Sequence, residues 1–309
     1  MDTVALNHFL ESIRSYAPDL IFGPPSGQPL YHYTDLGGLN GIITSHDLWL
    51  THSRYSNDEA EMTHGYGVAR QVVDEVRAET SQSAPAIPQN AEMLTYLDLL
   101  TQLLEERATE GAFICCFCQR DNLLSQWRSY GANGVGVSLQ MDPQQFSYIS
   151  GPDSPPGGLM RLWKVFYEPD RQQRILRQAI DFGFKNPFAP GAALPDRARQ
   201  AADAIQFFIP TFKNEDFSEE QEWRLIFTPS QLNQVPLHFR VARGMLVPYF
   251  SLKELSGGNV SSTALLPITG ARVGPSTHSR LNVTSVQTLL RQAGYSQVNV
   301  DESNTPFRG

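Results

Sequence analysis

The stretch from Ser218 to Phe227 constrains the fold of this chain most, because an acidic run turns abruptly into an apolar strand that begins Glu-Trp-Arg. Alternate side chains of an extended strand point to opposite faces. The alternation predicts a wholly apolar face and a mixed face, made respectively of Trp223, Leu225 and Phe227 and of Glu222, Arg224 and Ile226. The strand must therefore lie against a hydrophobic core while it carries two opposite charges on its other side.

Two interpretations are open for the charged face. Glu222 and Arg224 are separated by about 6.5–7 Å along an extended strand. On an edge strand they would form a solvated ion pair worth less than about 1 kcal/mol. Alternatively, a rigid strand holds the carboxylate in a cleft for chemistry. The preceding acids, Glu219 and Glu220, are expected to be solvated loop residues.

Composition predicts a globular protein, since 41% of the 309 residues are hydrophobic. The net charge of −8 and the absence of a Lys/Arg-rich run predict no generic nucleic-acid binding. The first residues have no basic and apolar signal pattern, and no segment approaches the ~18 apolar residues of a membrane span. We therefore expect a soluble, cytoplasmic protein without a membrane partner.

Motifs for several common chemistries are absent from the sequence. It has no P-loop, dinucleotide-binding glycine motif, Gly-x-Ser-x-Gly or His-Glu-x-x-His. The seven histidines form no pair with metal-ligand spacing, and the three cysteines all lie within Cys115–Cys118. We expect the cysteines to be small core residues and the protein to bind no metal.

The order of the elements predicts a single α+β domain over residues 1–309, with an antiparallel or mixed sheet. Its core would span 28–250, with a helical insertion at about 57–110 and a C-terminal extension at 251–309. Strands are predicted at 30–34, 48–51, 112–118, 135–139, 162–167, 222–227, 237–242, 245–250 and 298–300. Helices are predicted at 2–16, 36–44, 58–78, 90–108, 123–130, 171–183, 196–213 and 281–293.

Local signals add detail to these elements. Asp35 is a good N-cap for the helix that follows it, and the cluster at 56–58 can cap the next long helix. Gly136, inside a predicted strand, indicates a close backbone approach. Trp127 and Tyr130 are expected to pack in the core.

The candidate site residues each have a structural interpretation beside a functional one. His32 lies between two tyrosines on a short strand, where a half-buried histidine can simply bind a backbone group. Tyr55 and Asn57 can be a loop tyrosine and a helix cap. Arg224 can be a structural partner of nearby acids.

The order of several motifs resembles the bacterial family of proteins of unknown function DUF2971. These motifs are Tyr31–Thr34, Ser53–Glu61, Cys116–Cys118, Gln126–Gly131, Gly134–Leu139, Gln221–Arg224 and the tail Ser303–Arg308. The resemblance covers nearly the whole chain, and the family name implies no function.

The stretch Leu30–Thr34, followed by an apolar helix and a strand, is similar to ADP-ribosyltransferases of the diphtheria-toxin and poly-ADP-ribose-polymerase type. That resemblance implies a split sheet and NAD as substrate, with no metal. In it, His32 would hold ribose and nicotinamide with support from Thr34, and Glu222 would be the catalytic glutamate. The remaining implied ligand residues are Tyr55 or Trp49 for stacking, and Arg224 and Asn57 nearby.

Tyr33 departs from this pattern, because it stands where those enzymes have a glycine that lets the backbone approach nicotinamide. A tyrosine backbone can do so only if its side chain points away.

The function implied by this resemblance is NAD-dependent ADP-ribosyl transfer to a protein or nucleic acid, or NAD hydrolysis, by a toxin or defence effector. A fixed carboxylate would stabilise the oxocarbenium-like ribose that forms when the nicotinamide bond breaks. The alternative is a non-catalytic nucleotide-binding or regulatory module on the same fold. A nuclease-like effector is a third hypothesis, for which the sequence offers no paired acidic metal site.

Overall fold

A computed structural model describes residues 8–13, 24–55, 60–82, 88–146, 158–185, 191–229, 235–242, 244–255 and 265–305. The chain divides into two units, of which the first comprises residues 1–21, 58–111 and 166–217, and the second residues 22–57, 112–165 and 218–309. The single domain over 1–309 stays a prediction.

The elements follow the predicted order closely. The strands are β1 (Leu30–Thr34), β2 (Trp49–His52), β3 (Phe113–Cys118), β4 (Val137–Met141), β5 (Gly158–Lys164), β6 (Glu222–Pro229), β7 (His238–Ala242), β8 (Met245–Ser251), β9 (Ile268–Val273) and β10 (Asn299–Glu302). The helices are α1 (Leu36–Ser45), α2 (Ala60–Gln82), α3 (Pro88–Arg107), α4 (Leu124–Ser129), α5 (Pro169–Lys185), α6 (Leu194–Phe208), α7 (Leu252–Leu255) and α8 (Ser279–Gln292). Residues 8–13 are also helical.

The first unit is built from helices, chiefly α2, α3, α5 and α6. Small buried residues on α6, among them Ala198 and Ala201, allow close packing of helices. Tyr96 on α3 is fully buried, and its hydroxyl donates to the Ile180 carbonyl on α5 at 2.8 Å. None of the helices described in either unit has the length and apolarity to cross a membrane.

The second unit contains a ten-stranded sheet in the order β10-β9-β4-β1-β3-β2-β8-β7, with β6 paired to β3 and β5. Only β10 and β9 pair in parallel among these described strands. The predicted α+β class with a mixed, mostly antiparallel sheet is therefore confirmed. One face carries a large core cluster, to which Trp223, Leu225 and Phe227 of β6 contribute.

The centre of the sheet is split. Strand β6 pairs with β3 along its whole length, from Phe113 to Cys118, and so occupies one edge of β3. The other edge is shared, since β1 pairs with β3 only at Cys118 and β2 pairs only at Phe113 and Ile114. Strands β1 and β2 therefore diverge from each other beside the middle of β3.

Two local predictions are confirmed beside this split. The Asp35 carboxylate caps α1 by accepting the Gly38 N–H at 2.6 Å. A Cβ atom on Gly136 would lie 2.2 Å from the Thr34 carbonyl oxygen, so the backbone approach does require glycine.

Several elements differ from the sequence predictions, among them α7, which was not predicted, and β4, which lies two residues later than predicted. Strand β5 begins at Gly158, inside a predicted loop, and α6 ends at Phe208 and continues as a short 3₁₀ turn over Ile209–Thr211. Strand β9 was not predicted, because Pro267 precedes it and Gly-Ala-Arg separates its β-branched residues Ile268 and Thr269 from Val273. Pairing with β4 and β10 on its two edges makes this segment a strand.

We expect Gly136→Ala to destabilise the second unit by about 1–3 kcal/mol or more, because the new methyl group collides with backbone. Urea unfolding provides the measurement. Gly41→Ala in α1 is the matched control, since its added Cβ would meet no atom within 4 Å apart from its chain neighbours and the backbone of α1 itself. That control should be neutral or stabilising by up to about 1 kcal/mol. Equal effects of the two substitutions would contradict the close approach.

Candidate functional site

A cleft of about 790 Å³ lies at the split, and all its walls belong to the second unit. Strands β1, β2 and β7, the glycine-rich face of α1 and the turn after α4 supply its lining. The lining residues are His32, Tyr33, Thr34, Asp35, Gly37, Gly38, Gly41, Ile42, Asp47, Leu48, Trp49, Thr51, Ser129, Tyr130, Ala132, Arg240, Val241 and Ala242. The structure thus brings four predicted site residues together, namely His32, Tyr33, Thr34 and Trp49.

His32 occupies the gap between the diverging strands. Its Nδ1 lies 2.9 Å from the carbonyl oxygen of Cys116, at the middle of β3. A carbonyl can only accept, so Nδ1 carries the proton and Nε2 of the neutral ring is an acceptor. Burial lowers the pKa of His32, while the bond to Cys116 opposes that shift. The histidine is therefore neutral near pH 7, and it performs the structural role foreseen for it as well as lining the cleft.

The two residues after His32 play different parts. The Tyr33 ring packs edge-on against Trp127, with centroids 4.8 Å apart, and its hydroxyl donates to the Arg120 carbonyl at 2.8 Å. The Tyr33 side chain is thus engaged in a second, smaller core cluster. The Thr34 hydroxyl lies so close to α1 that a Cβ on Gly38 would be 2.1 Å from it.

Trp49 is the exposed aromatic residue of the cleft, with 39% of its surface accessible. Tyr249 stacks on its ring at 4.3 Å and an interplanar angle of 26°. Tyr55 lies elsewhere, in the short turn Ser53–Tyr55, where its ring meets the edge of His52, and it is not part of the lining. Asn57, like the cap predicted at 56–58, falls outside the described residues.

Glu222 and Arg224 form a buried ion pair. The guanidinium binds both carboxylate oxygens, with Nε–Oε1 at 2.8 Å and Nη2–Oε2 at 2.9 Å. Only 5% of Glu222 and 2% of Arg224 are exposed. The interpretation of an edge strand with a solvated pair is wrong, because β6 lies between β3 and β5. Glu220 is also buried, against expectation, whereas Glu219 is exposed.

The ion pair lies one strand away from the cleft. Directly opposed residues of neighbouring strands share a face, so Glu222 is on the face that carries Cys118 and Tyr31. Thr51 of β2 pairs with Ile114, which shares a face with Cys118 on β3. Trp49 lies two residues before Thr51 and therefore points to the same face as Glu222. Glu222 and Arg224 are nevertheless absent from the cleft lining, and β3 separates them from His32. The structure therefore does not bring His32 and Glu222 into one cleft.

Among the cleft residues that were not predicted to belong to a site, Arg240 and Asp47 are charged. Arg240 lies on β7, and no local pattern links that strand to Trp49, because the two meet only through the pairing of β7 and β2 with β8. Asp47 gave no sequence signal; it is buried, accepts the Lys253 N–H at 2.9 Å, and has a pKa raised by burial. Within the described ranges, no cluster of three His, Cys, Asp or Glu side chains could hold a metal ion.

The cysteines behave as core residues for the most part. Cys115 and Cys118 are buried and Cys116 is half-buried. Burial raises the pKa of the Cys115 thiol to about 12, so it stays protonated at neutral pH.

The lowered pKa of His32 predicts a pH-dependent stability. An unfolded histidine has a pKa of about 6.5. Just below that pH, His32 therefore binds a proton in the unfolded chain but not in the folded protein. The stabilising contribution is fully present above pH ~6.5 and is lost as the pH falls toward the folded pKa.

Urea unfolding between pH 5 and 8 tests this for wild type and His32→Gln, which keeps a side-chain donor for Cys116. The free energy of unfolding should fall more steeply with acidification in wild type. Identical slopes would show that His32 has the same pKa in the folded and unfolded chain.

Comparison with known proteins adds one match. No curated protein and no solved structure matches the chain. Residues 126–225 match the model of the family described as protein of unknown function (DUF2971). This stretch contains the last four residues of α4, all of β4 and the Glu-Trp-Arg start of β6, while His32 and Trp49 precede it. The predicted resemblance is confirmed for this third of the chain, which is similar to the DUF2971 proteins.

Proposed function

We propose that the protein binds a nucleotide in the cleft at the split of the sheet, and that NAD is the first ligand to test. The observation that carries this proposal is the open gap between β1 and β2, with a half-exposed Trp49 ring and polar groups of β1 on its walls. The cleft volume of about 790 Å³ suits a ligand of this size.

The side chains in the cleft have the chemistry that nucleotide binding needs. An indole ring held by stacking on Tyr249 offers a flat surface to an aromatic base. The neutral His32 provides an acceptor at Nε2 for a ribose hydroxyl, because its Nδ1 is already used. The hydroxyl of Thr34 adds a second polar group on the same strand. These groups bind and orient a ligand without reacting with it.

ADP-ribosyl transfer or NAD hydrolysis is the second candidate function, on an ADP-ribosyltransferase-like fold. It is favoured by the split sheet, by His32 and Thr34 in the cleft, and by a carboxylate fixed on the same face as Trp49. A bidentate Arg224 holds the Glu222 carboxylate ionised and rigid, as stabilisation of a ribosyl cation would require.

Binding alone is nevertheless the function that the geometry supports best. Glu222 is buried, both its oxygens already bind Arg224, and it does not line the cleft. For transfer, the reacting ribose would have to reach past Cys116 on β3. The acceptor, a protein or a nucleic acid, would then be chosen by groups beyond the cleft.

Binding is tested by calorimetry and by thermal unfolding with NAD. At 100 times its dissociation constant, NAD should add about 2.7 kcal/mol to the free energy of unfolding. Trp49→Ala should weaken binding about tenfold or more, because stacking of a base is worth about 1–3 kcal/mol. Phe239→Ala, another exposed aromatic residue that is not in the cleft lining, is the matched control. Unchanged affinity in Trp49→Ala would place the ligand elsewhere.

Release of nicotinamide from labelled NAD separates the two functions. If Glu222 is catalytic, Glu222→Gln should lower turnover at least ~100-fold while NAD still binds, since the substitution keeps the size of the side chain. A binding module instead releases no nicotinamide above the level of a protein-free control. Circular dichroism must first establish that Glu222→Gln is folded, because the carboxylate is half of a buried pair.

A further inference from the structure

We propose that Arg240 is an anion anchor of the cleft, which binds the phosphate oxygens of a phosphorylated ligand. This inference rests on the cleft described for the proposed function and does not depend on the ligand being NAD. Arg240 lies on β7, and its guanidinium is part of the wall that also contains Trp49 and Thr51.

The guanidinium of Arg240 has unused donors. Its Nη2 donates to the Thr51 hydroxyl at 3.2 Å, which is the side chain's one hydrogen bond to the described part of the chain. Its Nε is buried and has no hydrogen-bond partner there. No described carboxylate pairs with it, in contrast to Arg224, whose charge is fully engaged by Glu222. A buried N–H without a partner destabilises the folded state, and a shift of the guanidinium toward a ligand oxygen would remove that penalty.

Neighbouring rings hold the guanidinium in place before a ligand arrives. Its central carbon lies 5.8 Å from the Trp49 ring centroid, within the range of a cation–π contact. Trp49 stacks on Tyr249, which stacks in turn on His238 at 5.5 Å. His238 is bound to Glu254 at 2.7 Å, so this row of rings is fixed at its far end. A guanidinium supported in this way loses little freedom when it binds.

Phosphate is the group that best matches the free donors. A guanidinium presents a planar fork of N–H groups that suits the oxygens of phosphate, and both partners keep their charge at neutral pH. The two carboxylates on the cleft wall are already engaged, because Asp35 caps α1 and Asp47 accepts a backbone N–H. With a net charge of −8, the protein has no general attraction for anions, so binding would depend on this local cation.

Calorimetry with ADP, adenosine and inorganic pyrophosphate tests the inference on wild type, Arg240→Ala and Arg240→Lys. Arg280→Ala is the control, because Arg280 is an exposed arginine of α8 and its substitution removes the same charge. Arg240→Ala should weaken ADP and pyrophosphate about 10- to 100-fold and change the affinity for adenosine less than about twofold. Arg240→Lys should recover only part of the loss, since an ammonium cannot form the planar fork.

Several results would overturn the inference. An equal loss for adenosine and ADP would mean that Arg240 only supports Trp49. Unchanged ADP affinity in Arg240→Ala, or no binding of ADP and pyrophosphate to wild type at millimolar concentration, would mean that there is no anion site.

The same data keep this inference distinct from the proposed function. Pyrophosphate binding that depends on Arg240, without any binding of adenosine or NAD, supports the anion site and contradicts the nucleotide cleft. Nucleotide binding that is insensitive to Arg240→Ala supports the cleft and contradicts the anchor.

Discussion

The hydrogen bond from His32 to the Cys116 carbonyl is the interaction on which the cleft depends. A central strand must satisfy backbone groups on both edges, because buried carbonyls without partners are costly. β6 satisfies one edge of β3 completely, whereas β1 and β2 cover only the two ends of the other. The His32 side chain replaces a missing strand at the middle. The sheet can therefore open into a cleft without leaving that carbonyl exposed to an apolar core.

A second constraint on the same sheet is that the charges of Glu222 and Arg224 are buried and must neutralise each other. Residues two apart on a strand share a face, so the guanidinium can reach back to both carboxylate oxygens. Taking one member away would leave an unpaired buried charge, which costs about 3–5 kcal/mol. The pair consequently maintains β6 as an interior strand. The pair lies one strand from the cleft, so a structural role is enough to explain it. A catalytic role would require a ligand that extends from the cleft across β3.

Most elements could be predicted because their signals are local. The strand Leu30–Thr34 has the predicted bounds, and the Asp35 cap and the glycine at 136 were recognised from residue type alone. Strand β9 was missed because Gly270 and Ala271 interrupt its β-branched residues, and pairing on both edges compensates for that interruption. The cleft was foreseen only through His32, Tyr33, Thr34 and Trp49. Arg240 comes from a strand about two hundred positions later, and no local pattern links it to them.

The sequence by itself determined the α+β class, the apolar face of β6 and the capping of α1 by Asp35, because alternation and capping act between neighbours in the chain. Only the tertiary structure decided that β6 is interior and that Glu222 and Arg224 are buried together. It likewise decided that Glu222 lies across β3 from His32 and that Arg240 stands beside Trp49. These depend on which strands share an edge, and strand pairing is set by contacts between residues far apart in sequence.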